Sequence, residues 1–126
     1  MFDDISDIRP TRKRYNLKVF QSGVKMFRDF EEAEGAALRS GALEGKYKEL
    51  VALGISMVEK CYPCVEYHVT AALKGGATRQ QVIEVAAVAL ALGGGVAQWP
   101  ARFAFKVLDD VERENAGEAA AAPDSE

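Results

Sequence analysis

The chain has 126 residues, of which 48% are hydrophobic and 28% charged, enough for one domain with a real core and too few for two. A formal net charge of −3 argues against a general affinity for nucleic acid or for an anionic membrane. Thiol and imidazole chemistry is confined to two cysteines and one histidine.

The first residues, Met1 to Asp7, lack the basic-then-apolar order of a secretory signal. Arg9, Arg12, Lys13 and Arg14 follow Asp3, Asp4 and Asp7, and this mixture reads as a solvated arm over residues 1–16. Residues 17–33 place Phe20, Val24, Phe27 and Phe30 at helical spacing. Gly35 and Gly41 bracket a short turn of helix. From Glu44 to Lys60 a second long helix carries Tyr47, Leu50, Val51, Leu53, Ile55, Met57 and Val58, apolar nearly all round, which predicts burial.

Pro63 suits the first turn of the next helix, where a missing N–H costs nothing, and Gly75-Gly76 ends that helix after Lys74. Thr78 with Gln81 is a capping box opening another helix. Gly93-Gly94-Gly95 break that helix, and a last one is predicted over residues 96–114 with Pro100 in its first turn or at a kink. The alanine-rich residues 115–126 read as a frayed tail.

No strand alternation occurs, so the fold class is all-α, with a helical domain over residues 17–114. The apolar stretch from Val82 to Trp99 is too short and too interrupted to span a bilayer. The expected location is cytoplasmic, with no membrane and no nucleic-acid partner. Two helices apolar on most faces are hard to bury in so small a domain, which predicts a homo-oligomer.

The most informative segment is Cys61-Tyr-Pro-Cys64, followed four residues later by His68. On a helix these three fall at i, i+3 and i+7, along one stripe. In a reducing compartment a C-x-x-C pair points to catalysis or metal binding rather than to a structural staple. A thiolate at a helix N-terminus is stabilised by unpaired N–H groups and the helix dipole, an argument that favours either thiol. His68, one turn beyond Cys64, can accept its proton. A sulfenic acid formed on one thiol would then be attacked by the other to close a disulfide.

Rival readings are weaker. Cys61, Cys64 and His68 suit zinc, with Glu49 or Glu66 to complete the set, but a structural site wants a second ligand pair and none exists. Covalent haem attachment needs histidine where Val65 stands, and a thioredoxin motif follows a strand rather than a helix. Inert buried cysteines beside a core histidine are the plain alternative. On spacing alone Glu49 reads as a solvated edge position; buried, it would need a partner and could belong to a proton relay. Glu66 points elsewhere on its helix and reads as a surface residue.

The run from Lys46 to about Phe105 resembles the alkylhydroperoxidase (AhpD-like) branch of the carboxymuconolactone decarboxylase superfamily. The resemblance rests on Lys-Glu-Leu-Val-Ala-Leu at 48–53, Glu59-Lys-Cys-Tyr-Pro-Cys-Val-Glu-Tyr-His68, the Ala-Ala-Leu-Lys-Gly-Gly-Ala-Thr-Arg run at 71–79 and Ala-Leu-Gly-Gly-Gly at 91–95. It implies an all-helical fold around a central helical hairpin, assembled as a homotrimer or homohexamer. It also implies reduction of hydroperoxides or disulfides without a bound cofactor, with a thiol or lipoyl-type protein as reductant. Under it Cys64 attacks peroxide, Cys61 resolves the sulfenic acid, and Glu49 and His68 relay protons. One departure is visible: where well-characterised members carry a histidine just before the second cysteine, this chain has Pro63. A muconolactone-type decarboxylase, which needs an acid–base pair but no thiols, is one alternative. A redox-responsive oligomeric scaffold without catalysis is another.

Overall fold

A computed structural model describes the backbone of residues 5–121 and the side chains of residues 5–118. Residues 1–4 and 122–126, where part of the expected arm and tail falls, lie outside the described residues. Among the described residues six α-helices follow in order: α1 (Ile5–Gln21), α2 (Lys25–Leu38), α3 (Gly45–Val58), α4 (Tyr62–Lys74), α5 (Arg79–Gly93) and α6 (Gln98–Ala121), with a 3₁₀ turn at Gly95–Ala97 before the last. No strand occurs among the described residues.

The helices from α3 onward begin and end where local chemistry dictates. Pro63 sits in the first turn of α4, where its missing donor is harmless. Thr78 caps α5 reciprocally: its Oγ1 accepts from the Gln81 N–H at 3.1 Å, and the Gln81 side chain accepts from the Thr78 N–H at 3.0 Å. The break before the last helix falls at Gly94, whose φ of 77° lies in the region that only glycine occupies freely.

The core lies between α3, α4, α5 and α6. Helix α3 packs on α4 and α5, and α6 closes the opposite side against both. Leu53 and Met57 of α3 meet Val65 and Val69 of α4, Val82 of α5, and Phe103, Val107 and Leu108 of α6 in one buried cluster. Burial of such side chains, at about 1.5–3 kcal/mol each relative to exposure, dominates the stability of the bundle.

Four expectations need correction. The solvated arm expected over residues 1–16 is helical from Ile5 onward. Ile5 and Ile8 enter the core, and Arg9 and Arg12 reach across to α4. The single helix expected over 17–33 breaks at Gly23 (φ 78°), with the Ser22 hydroxyl donating to the Val19 carbonyl at 2.6 Å. Helix α3 is buried on one face only: Leu50, Leu53 and Met57 are inside, while Val51 and Ile55 are 57% and 59% exposed. The frayed tail, in turn, is helical as far as Ala121. Helix α2 buries none of its residues and touches only α1 and α3 appreciably.

Candidate functional site

The site is built on the first two turns of α4. The chain leaves α3 through Lys60, whose φ of 57° lets it turn sharply, and the Cys61 N–H donates to the Ser56 carbonyl at 3.0 Å. Cys61 is thereby held as the extended N-cap residue, and its carbonyl accepts the first helical bond, from the Val65 N–H, at 2.9 Å. No side-chain hydrogen bond caps this terminus, and the two cysteines sit at its N-cap and in its first turn, where the helix dipole is positive. Cys61 and Cys64 are joined in a disulfide with their Cα atoms 5.2 Å apart, a normal span for such a bond.

His68 lies one helical turn beyond Cys64, and its Nδ1 is 2.6 Å from Glu49 Oε2. Both side chains are largely buried, at 13% and 15% exposure. Glu49 therefore projects from α3 onto α4 rather than into solvent, and it supplies the partner that a buried carboxylate needs. A carboxylate only accepts, so Nδ1 is the ring nitrogen that carries the proton in this bond. Fixing one ring nitrogen in this way sets the imidazole's tautomer.

Cys64 and His68 open onto a cleft of about 380 Å³, shared with Pro63 and Tyr67 of α4. Its far walls come from the α1–α2 hairpin: Arg12, Asn16, Val19 and Phe20 on one side, Phe27, Phe30, Glu31 and Glu34 on the other. Cys61 does not line it. The four residues expected at the site thus fall into a bonded sulfur pair and a paired imidazole and carboxylate, with Cys64 and His68 facing one opening.

Glu66 is the residue misread from sequence. It is fully buried and receives Arg9 Nε at 3.0 Å, Arg12 Nη1 at 2.6 Å and the Thr70 hydroxyl at 2.9 Å. Arg9 also donates to Thr70 and to Glu114 of α6. Burial alone would push the Glu66 carboxyl up; hydrogen bonds from Arg12, Arg9 and Thr70, with the charge of Arg12, outweigh it and hold the carboxyl below its ordinary value. The available signal was the basic run from Arg9 to Arg14 itself, which needs an acidic partner if it is not solvated. Spacing does not say which.

The disulfide takes both sulfurs out of the thiolate form that zinc binds. Among the described residues no group of three or more His, Cys, Asp or Glu is placed to hold a metal ion. Nor, among them, is any helix long and apolar enough to cross a membrane. A second, larger groove of about 800 Å³ runs between α3 and α5, walled by Val51, Ile55, Val58, Val88 and Leu92, and it contains no thiol.

Comparison with known proteins places this arrangement in a family. Residues 25–114 match the Carboxymuconolactone decarboxylase family, and the chain belongs to it. Two crystal structures of a Thermotoga maritima protein superpose with TM-scores of 0.84 and 0.82 at 28% and 31% identity. They cover 88% and 89% of this chain and 97% and 96% of theirs. The second is described as a member of the same family and a candidate for the antioxidative response. An apo structure of a family member from Legionella pneumophila gives 0.79 at 27% identity, over 83% of this chain and 94% of that one. Among curated sequences, uncharacterized proteins of Paracoccus denitrificans and Cupriavidus necator are each 38% identical, over 57% and 52% of this chain. The matched segment spans 65% and 58% of their own lengths, less than two thirds of either.

Proposed function

We propose that this protein is a cytoplasmic thiol-dependent hydroperoxide reductase, or disulfide oxidoreductase, of the AhpD type. One observation carries the reading: the bonded Cys61–Cys64 pair at the uncapped mouth of α4, with Cys64 facing the same cleft as an imidazole fixed by Glu49.

In the dithiol form His68 Nε2 takes the Cys64 proton, and Glu49 stabilises the resulting imidazolium. The Cys64 thiolate attacks the terminal peroxide oxygen and the O–O bond breaks. The sulfur becomes a sulfenic acid, and the departing alkoxide takes its proton from His68. Cys61 then attacks that sulfur, forming the disulfide and releasing water, so two electrons pass from the thiols to the peroxide. A dithiol or lipoyl-type reductant reopens the disulfide by exchange, and no bound cofactor is needed. Glu49 stands where the Asp of a serine-protease triad stands, orienting the base without touching the substrate. Pro63 in place of a histidine leaves His68 as the imidazole in the relay.

The test uses the full chain reduced with a dithiol and then treated with one equivalent of hydrogen peroxide. The expected result is loss of both titratable thiols, a mass lower by two hydrogens, and renewed peroxide consumption when reductant is added. Thiols that survive the treatment overturn the reading. Loss of muconolactone absorbance that persists when both cysteines are serine would assign a decarboxylase instead, and a disulfide that alters subunit association without turnover would assign a scaffold.

The same reading includes a homotrimer or homohexamer. Its support is the apolar groove between α3 and α5, where Ile55 and Leu92 are 59% and 86% exposed, an unusual cost for a lone chain in water. Ile55→Glu together with Leu92→Glu should reduce the mass measured by light scattering to that of one chain; a wild type already monomeric refutes the assembly.

A further inference from the structure

The relay accounts for the Glu49 hydrogen bond to the His68 ring but not for a second contact, from Tyr67, whose ring lies 5.2 Å from the His68 ring, centroid to centroid, at an interplanar angle of 88°. This edge-to-face arrangement is the favoured one for aromatic pairs. Tyr67 is 43% exposed, so the core does not hold its ring in place. Arg12 does, with its guanidinium carbon 5.0 Å from the centroid of the Tyr67 ring. Arg12 is itself fixed by the 2.6 Å bond from its Nη1 to Glu66, which is fully buried and also held by Arg9 and Thr70.

We infer that Arg12 and Tyr67 are positioning residues for the relay. Arg12, anchored on buried Glu66, presses the Tyr67 ring against His68, so that the imidazole is held by the Tyr67 ring as well as by its hydrogen bond to Glu49. The hydrogen bond to Glu49 fixes one atom of the ring but permits rotation about the bond; the tyrosine ring removes that freedom. Helix α1 becomes part of the chemical apparatus through one side chain, although it supplies no atom that reacts. The inference rests on the thiol-reductase reading for its rate effect, but its structural content concerns only the orientation of one imidazole.

His68 is the only histidine in the chain, so its ring nitrogens and carbon-bound protons give unambiguous resonances. The experiment compares wild type with Arg12→Gln, Tyr67→Leu and Tyr67→Phe, all as full chains in the dithiol form. Long-range proton–nitrogen spectra of the imidazole are recorded alongside the hydrogen peroxide kinetics, with Cys64→Ser as the blank. Hydrogen peroxide is used because so small a substrate asks little of the cleft walls. Arg12→Gln leaves Glu66 bonded to Arg9 and Thr70, and helical circular dichroism checks that each variant is folded.

Arg12→Gln and Tyr67→Leu should each move the imidazole resonances away from the single Nδ1-protonated pattern and lower kcat about tenfold, as expected for a small misplacement of a catalytic group. Tyr67→Phe, which keeps the ring, should restore both readouts. An unchanged imidazole spectrum in Arg12→Gln or Tyr67→Leu overturns the inference. A change in KM alone also overturns it, because that result makes Arg12 a substrate contact. Should wild type and Cys64→Ser prove equally inert toward peroxide, the reductase reading fails, while the spectra still decide the positioning role.

Discussion

Replacing Cys64 with serine should reduce peroxide consumption to the uncatalysed background, whereas Cys61→Ser should permit one oxidation per chain and then stall. The asymmetry follows from placement. Cys64 and His68 stand at i and i+4 on one face of α4 and share a cleft, as the proposed transfer of a proton from sulfur to Nε2 requires. Cys61, the N-cap residue, does not line that cleft, which suits the proposed role of attacking a sulfur already oxidised beside it. A serine hydroxyl cannot replace the Cys64 thiolate as a two-electron donor, so the loss should be complete rather than graded. In Cys61→Ser the sulfenic acid has no resolving partner within the chain and should accumulate, trapped by a dimedone-type reagent with one label per protein. The opposite pattern, with Cys64→Ser trapping and Cys61→Ser inert, would reverse the roles of the two sulfurs.

Glu66→Ala should be among the most destabilising single substitutions in the protein. Removing one member of a buried charge cluster strands its partners, with typical costs of 3–5 kcal/mol; here the figure should be about 3 kcal/mol, because the guanidiniums of Arg9 and Arg12 keep roughly a quarter of their exposure and can turn toward water. At fixed protein concentration that corresponds to a fall in Tm of about 10 °C. Glu66→Gln should not rescue it fully, since the amide has one accepting oxygen and presents N–H donors to two donor groups.

The pH dependence has a definite sign. The folded-state carboxyl lies below its ordinary value, so its contribution is fully present above the ordinary glutamate range near about 4.3 and is lost as pH falls through the lower, folded-state value. Urea midpoints measured from pH 7 down to pH 3 should therefore drop more steeply for wild type than for Glu66→Gln. Parallel profiles would mean that the cluster does not bear on folding stability.

Those two predictions divide along the line between what local sequence carries and what it does not. The order of helices from α3 onward, the first-turn position of Pro63 and the reciprocal cap at Thr78 were legible because each is written in residues three or four apart. So was the C-x-x-C pair and its distance from His68. Helix α1 was not legible. Pro10 lies within it and locally opposes a helix, and its charges suggest solvent. What holds it is the pairing of Arg12 with Glu66, 54 residues away in sequence, and the burial of Ile5 and Ile8. Glu66 was misread for the same reason, since its partners belong to a segment that no spacing rule connects to α4. Glu49 was named through the family resemblance, while its position against His68 is a matter of how α3 packs on α4. The apolar character of α3 was read correctly, but half of its apolar surface faces outward in the single chain.

The cross-link between Cys61 and Cys64 closes a ring over a sequence separation of only three. Tying together neighbours this near removes far less freedom from a denatured polypeptide than a tether over a long loop does. Making or breaking it therefore leaves the bundle nearly indifferent, because no distant helices are joined or released. The proposed catalyst, alternating between oxidation states at every turnover, would benefit from such indifference: the electrons would come and go while the architecture that steers them stays where it is.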